Sequence, residues 1–323
     1  MHHRTSRRAG RALALIIMIL AVPAAAAQAA ATPPGATTGS AANVAQQTAR
    51  LIGAVDPNGA QTSYQFQYGT TTAYGAVTPP VTISGDGRRT VTADLANLAP
   101  ATVYHYRLIA RNAKGLTKGL DRNFKTRIQP LGVTFAATPN PEPFGGTTVL
   151  AGQLTGTGNA GRDVLLQSNP FPYTQGFKDV GNRVVTDAAG NFTFNLLQVP
   201  FNTQYRVTLP DKPSVVSPIV VVSVQVKVST HLGTTTVTRG HKLTFSGAVT
   251  PAADGTPIAI QKKRGTTWVT VAGTVARHHS ASSSRYSKKV TIHSGGTYRV
   301  YAGVANGSYV PNTGREVTIH THR

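Results

Sequence analysis

From residue 49 onward, apolar and polar side chains alternate almost one by one. Leu51, Gly53 and Val55 fall on one face, as do Tyr64, Phe66 and Tyr68. Tyr104, Tyr106, Leu108 and Ala110 share another face, with His105, Arg107 and Arg111 behind them. A period of two marks strands buried on one side only. Between these runs lie Asp56-Pro57-Asn58-Gly59, Gly85-Asp86-Gly87 and Asn112-Ala113-Lys114-Gly115, all rich in turn-forming residues. No stretch sustains a helical period. Short strands at this spacing predict antiparallel β-sandwiches.

The N-terminus follows a different pattern. Arg4, Arg7, Arg8 and Arg11 precede an apolar run over 12–22, then Pro23 and an alanine stretch in which Ala27 and Ala29 make an A-x-A site. This is the arrangement of a secretory signal peptide, read here over 1–29. Export places the chain outside the cytoplasm, at the cell surface or released. Residues 30–42, rich in Pro, Gly, Ser and Thr, are expected to be a flexible leader. No later segment is apolar for long enough to span a bilayer, so no transmembrane span is expected in the mature chain.

Leu98, Pro100, Thr102 and Tyr104 spell L-x-P-x-T-x-Y ahead of YRLIARNAKG. Residues 43–127 thereby resemble a fibronectin type III domain. The resemblance implies that Tyr104 is a corner tyrosine whose hydroxyl returns to nearby backbone, with Leu98 and Pro100 structural beside it. The usual tryptophan of the second strand is absent, so Tyr64, Phe66 and Tyr68 are expected to supply aromatic bulk. The remainder contains a duplication. Gly152 matches Gly247, VLLQ ending at Gln167 matches IAIQ ending at Gln261, and the YRV around Arg206 matches the YRV around Arg299. Three ordered matches at nearly one spacing mark a repeated domain. The copies, 128–225 and 226–323, resemble the immunoglobulin-like modules of bacterial exported proteins. Residues 219–229 have no Gly or Pro and predict a stiff junction between them. The expected fold class is all-β: three tandem immunoglobulin/fibronectin-type antiparallel sandwiches.

Charge divides these units. The formal net charge of +21 is uneven: 226–323 holds thirteen Lys and Arg against two acids, whereas 128–225 holds five of each. With no cysteine, disulfides and thiolate chemistry are excluded.

Most signals of catalysis dissolve on inspection. Gly156, Gly158 and Gly161 form G-x-G-x-x-G, but RDVLLQSNPF follows where a dinucleotide fold needs a helix. The glycines are expected to turn a corner between strands, with no cofactor. Asp56, Asp86, Asp187 and Asp254 lie in turn-like contexts, and Glu142 between Pro141 and Pro143; all read as backbone-shaping residues rather than a catalytic pair. His320 and His322 share a strand face without an accompanying carboxylate, which predicts no metal site.

What remains is binding chemistry. Lys262, Lys263 and Arg264 are placed at a hairpin tip, and Arg285, Lys288 and Lys289 on a following strand, as a candidate surface for anionic polymer. Arg285, Lys289 and His293 are expected on one face. Aromatics are not interleaved as a nucleic-acid reader needs, so no specific nucleic acid is expected. Phe171, Tyr173 and Phe177 in a Pro/Gly-rich loop, with the lone Trp268, form a candidate carbohydrate platform; the loop rings equally suit plugging the end of a sandwich. The leading functional expectation is a non-enzymatic exported binding or spacing protein that adheres to anionic envelope polymer or polysaccharide. Carbohydrate binding through the aromatics is the alternative, and a secreted hydrolase the third.

Overall fold

A computed structural model describes Met1 and residues 32–323. The signal-peptide expectation over 1–29 lies outside the described residues. Among them there is no helix, and the chain is built from antiparallel sheets packed in pairs as immunoglobulin/fibronectin-type sandwiches. It divides into two compact units, Met1–Thr126 and Arg127–Arg323.

In the first unit, strands Gly35–Thr38, Ala49–Asp56 and Arg89–Leu95 form one sheet. The facing sheet centres on Thr62–Gly69 and Val103–Asn112. Alternation does the work: Leu51, Val55, Phe66, Tyr106 and Leu108 are all fully buried in one core. Each such side chain contributes on the order of 1.5–3 kcal/mol by leaving water. The Tyr104 hydroxyl accepts a hydrogen bond from the Ala99 backbone N–H at 2.9 Å, and its ring stacks on Phe124.

The leader is shorter than its composition suggests. Gly35–Thr38 is a strand in register with Gly53 to Asp56, and the Leu108 N–H donates to the buried Thr38 hydroxyl at 3.1 Å. Asn58 and Asn112 side chains bond the carbonyls of Pro33 and Thr32. An edge strand needs a hydrogen-bond partner more than an apolar face, so alternation does not betray it.

The second unit holds two sandwiches. In the first, the sheet of Gly132–Thr138, Thr147–Thr155 and Asn191–Leu197 covers a second sheet, built on Asp163–Pro170 and Thr203–Leu209. In the next, Lys242–Thr250 and Ser283–Thr291 lie against Pro257–Arg264, Thr267–Val275 and Gly296–Ala302. The repeated glycines have a steric cause. A Cβ at Gly152 would stand 2.1 Å from the Thr134 carbonyl oxygen, and one at Gly247 would stand 1.9 Å from that of Ser229. Both positions let a neighbouring strand cross at backbone distance.

The passage between these two sandwiches has no slack. Val222 and Val224 belong to one core and Val226 to the next. Asn202 locks the joint: its backbone N–H donates to Ser308 O and its side-chain amide to Gly307 O, both at 2.8 Å, while its Oδ1 accepts from Val224 N at 2.7 Å. Tyr309 packs on both cores and meets Phe144 edge-on.

Glu142 differs from expectation. Rather than shaping a turn, it pairs with Val224 in a short parallel ladder and is fully buried. Neither carboxyl oxygen has a hydrogen bond of good geometry. Burial raises its pKa, outweighing a contact with the Val199 backbone that pulls it down. Beside it, the Tyr205 hydroxyl is pushed up to about 12, first by its own burial and then by the Glu142 charge.

Candidate functional site

The glycine-rich segment is a connection between strands. It connects strand Thr147–Thr155 to strand Asp163–Pro170, with φ of 99°, 74° and 66° at Gly156, Gly158 and Gly161. These left-handed conformations favour glycine. No helix N-terminus follows to receive a pyrophosphate.

The carboxylates are largely spoken for by local structure. Asp187 accepts the N–H groups of Ala189 and Asn191. Asp254 accepts from the Ser284 hydroxyl and meets the His278 ring. Asp121 accepts from Tyr74 and meets His105. His322 shares a hydrogen bond with Thr238. Among the described residues, no three His, Asp or Glu side chains come together to hold a metal.

The basic residues of the third sandwich do not form one patch. Arg264 ends its strand opposite Thr267, so the hairpin closes over Gly265 and Thr266. Strand alternation then splits the basic triplet. Lys262 and Arg264 point to a groove of about 410 Å³ that Lys289, His293 and Tyr298 also line. There the Lys262 ammonium donates to the Ser294 carbonyl at 2.8 Å and hydroxyl at 2.6 Å. Desolvation lowers its pKa, and the Arg264 charge adds to the effect. Lys263 takes the other face of the strand, beside Trp268.

Arg285 keeps the strand face of Lys289, four positions away in an unshifted ladder, but lies in a different groove from Lys289 and His293. It lines a second groove of about 750 Å³ with His231, Ser246 and Arg277. The strand ends at Thr291, before His293. Arg277 stands directly across from Arg285 in the ladder. Like charges so placed repel unless an anion lies between them. Lys288 is registered with the buried Phe245, yet its side chain is exposed at the sheet edge.

The four aromatics do not share one surface. Phe171 meets Tyr173 edge-on, and a Cβ at Gly307 of the next sandwich would lie 2.9 Å from the Phe171 ring. This places Phe171 at the joint between sandwiches. Phe177 lies under Arg206, whose guanidinium carbon is 4.1 Å from the ring centre. Trp268 lies in a different sandwich and is half-buried under Arg299, also at 4.1 Å.

That last pair belongs to a device present in each sandwich. Gln67 stands opposite Arg107, Gln167 opposite Arg206, and Gln261 opposite Arg299. In each case the arginine Nε donates to the glutamine Oε1, at 2.7, 2.8 and 2.8 Å respectively. In each case the guanidinium also covers an aromatic ring: Tyr74, Phe177 or Trp268. Stacking and one fixed N–H leave a planar cation held on the sheet surface. Gln261 and Arg299 were visible in the sequence as the ends of IAIQ and the middle of YRV. Their pairing was not, because it needs the register.

No protein-family model matches the sequence, and no curated protein matches it. Several solved structures are similar in architecture. A tetra-tandem repeat from the extending region of a large adhesion protein is 15% identical over 90% of this chain and 74% of that one, with a TM-score of 0.30. The FN1–FN3 domains of chicken CNTN1 are 17% identical over 90% of this chain and all of that one, at 0.28. A run of titin domains is 15% identical over 90% of this chain and all of that one, at 0.36.

Proposed function

We propose that the chain is a non-enzymatic exported protein of the binding or spacing kind, which adheres to anionic envelope polymer or polysaccharide through residues 226–323. One observation carries this reading. That sandwich has thirteen Lys and Arg, and among the described residues none of them pairs with a carboxylate. The preceding sandwich is charge-balanced and spends Arg162 and Arg183 on Asp211 and Asp163. An excess of unpaired cations on one module creates a field that draws in polyanions and costs self-repulsion in their absence. Export rests on the basic-then-apolar pattern of the first residues. The non-enzymatic reading rests on carboxylates that serve backbone and hydroxyl partners.

The test is retention of the full chain on an immobilised polyanion as salt is raised. Replacing Arg264, Arg285, Lys288 and Lys289 together by Gln is expected to weaken binding strongly at about 0.05 M salt and little at about 1 M, where screening has already removed it. Equal retention of both proteins at low salt sinks the assignment.

A further inference from the structure

The Gln–Arg–aromatic device is not chemically equivalent in its three copies. In the first unit, Tyr74 donates to Asp121 at 2.9 Å; burial would raise that carboxyl, but hydrogen bonds from His105 and Tyr74, then the His105 and Arg107 charges, hold it below its ordinary range. In the second sandwich, Gln167 donates to Asp179 at 2.9 Å while accepting from Arg206. A carboxylate thus sits in the network of each.

The third copy has none. Asp179 is registered opposite Gln167; the residue opposite Gln261 is Thr270. Phe177 and Trp268 each precede those residues by two, so the rings correspond. Across the strand from Trp268 stands Lys263, its Nζ 5.6 Å from the ring centre, where the second sandwich has Asn169 at the matching place after its glutamine. Relative to the second copy, one anion has been lost and one cation gained on the same spot. Arg299 spends one N–H on Gln261, and its other donors make no hydrogen bond within the described protein.

We infer that Arg299, Lys263, Trp268 and Gln261 form a subsite for an acidic sugar residue, a pyranose ring bearing a carboxylate or sulfate. The free edge of a guanidinium held by one hydrogen bond and by stacking on Trp268 suits a planar or tetrahedral oxyanion bound by two parallel bonds. The half-buried indole offers an apolar edge to the ring, and the Gln261 amide and Thr270 hydroxyl offer neutral partners to its hydroxyl groups. A phosphate chain would use the charge and ignore the rest. This inference rests on the polyanion reading above and narrows its ligand.

Trp268 is the only tryptophan of the chain, so its emission reports this spot alone. The experiment titrates the full chain with oligogalacturonate, heparin oligosaccharide, inorganic polyphosphate and neutral dextran, following both retention and Trp268 emission. A saturable emission change is expected with the carboxylated or the sulfated sugar, and the arm that responds identifies the group. Arg299→Lys keeps the charge and loses the fork; it is expected to weaken that response by about tenfold or more. Arg206→Lys is expected to leave it within about twofold, since that copy is already neutralised. Thermal melts of both variants check folding, and Trp268→Phe, followed by retention, keeps a ring in place. If acidic sugars are retained but the emission never changes, or if polyphosphate changes it equally and Arg299→Lys has no effect, the subsite is wrong and general adherence stands. A response to dextran also overturns it. If no polyanion is retained even at low salt, the adherence reading falls and takes the subsite with it.

Discussion

At the scale of single residues, Glu142 is the most consequential departure from what the sequence announces. Its carboxyl is buried without good hydrogen bonds, so the folded protein holds that proton more tightly than the unfolded chain does. The sign follows from linkage. Below the ordinary value of 4.5 the group is neutral in both states and costs nothing. As pH rises toward the raised folded value, the unfolded chain ionises first and stability falls. Glu142→Gln is therefore expected to raise the melting temperature near pH 7, by an amount equivalent to about 1–3 kcal/mol, and to change little near pH 4. Parallel pH profiles for both proteins would refute this. Tyr104 makes a simpler case: Tyr104→Phe removes the hydroxyl that the Ala99 N–H needs and is expected to cost about 1 kcal/mol in chemical denaturation. Tyr104 was legible because its motif is local. Glu142 was not, because two flanking prolines look like a turn and only the partner strand, some eighty residues later, reveals the burial.

Strands were the most legible level, and their pairings the least. Alternation found Ala49–Asp56, Thr62–Gly69 and Val103–Asn112, since each must bury one face. It missed Gly35–Thr38, which contributes backbone bonds and little apolar area. Deleting 32–39 is accordingly expected to lower the stability of the first unit and to expose the amides of Thr37's partner strand to hydrogen exchange. Unchanged protection at Ala54 and Asp56, whose amides face the deleted strand, would show the segment to be dispensable. The candidate basic surface was half legible for the same reason. The sequence places Lys262, Lys263 and Arg264 in a row, but a strand sends neighbours to opposite sides. It also brings Arg277 opposite Arg285, a repulsion that no linear reading of 226–323 discloses.

At the scale of the whole molecule, the two units differ in how they are held. The first closes on its own core. In the second, Tyr309 and Asn202 tie two sandwiches together. Residues 127–323 are therefore expected to melt in one cooperative transition, which Asn202→Ala divides into two in calorimetry. A single transition in that variant would place the coupling elsewhere. The duplication itself was readable from three matched fragments. That the matched Gln and Arg build a surface device, and that only its third copy is free of acid, required the sheet registers.

The run from Val222 through Val226 carries a consequence for how this protein can vary. Alternate side chains there serve first one interior and then the next without a spare residue between them. Inserting a single amino acid would turn every following side chain to the wrong face. Evolution can lengthen this chain at its hairpin tips, but not at that seam.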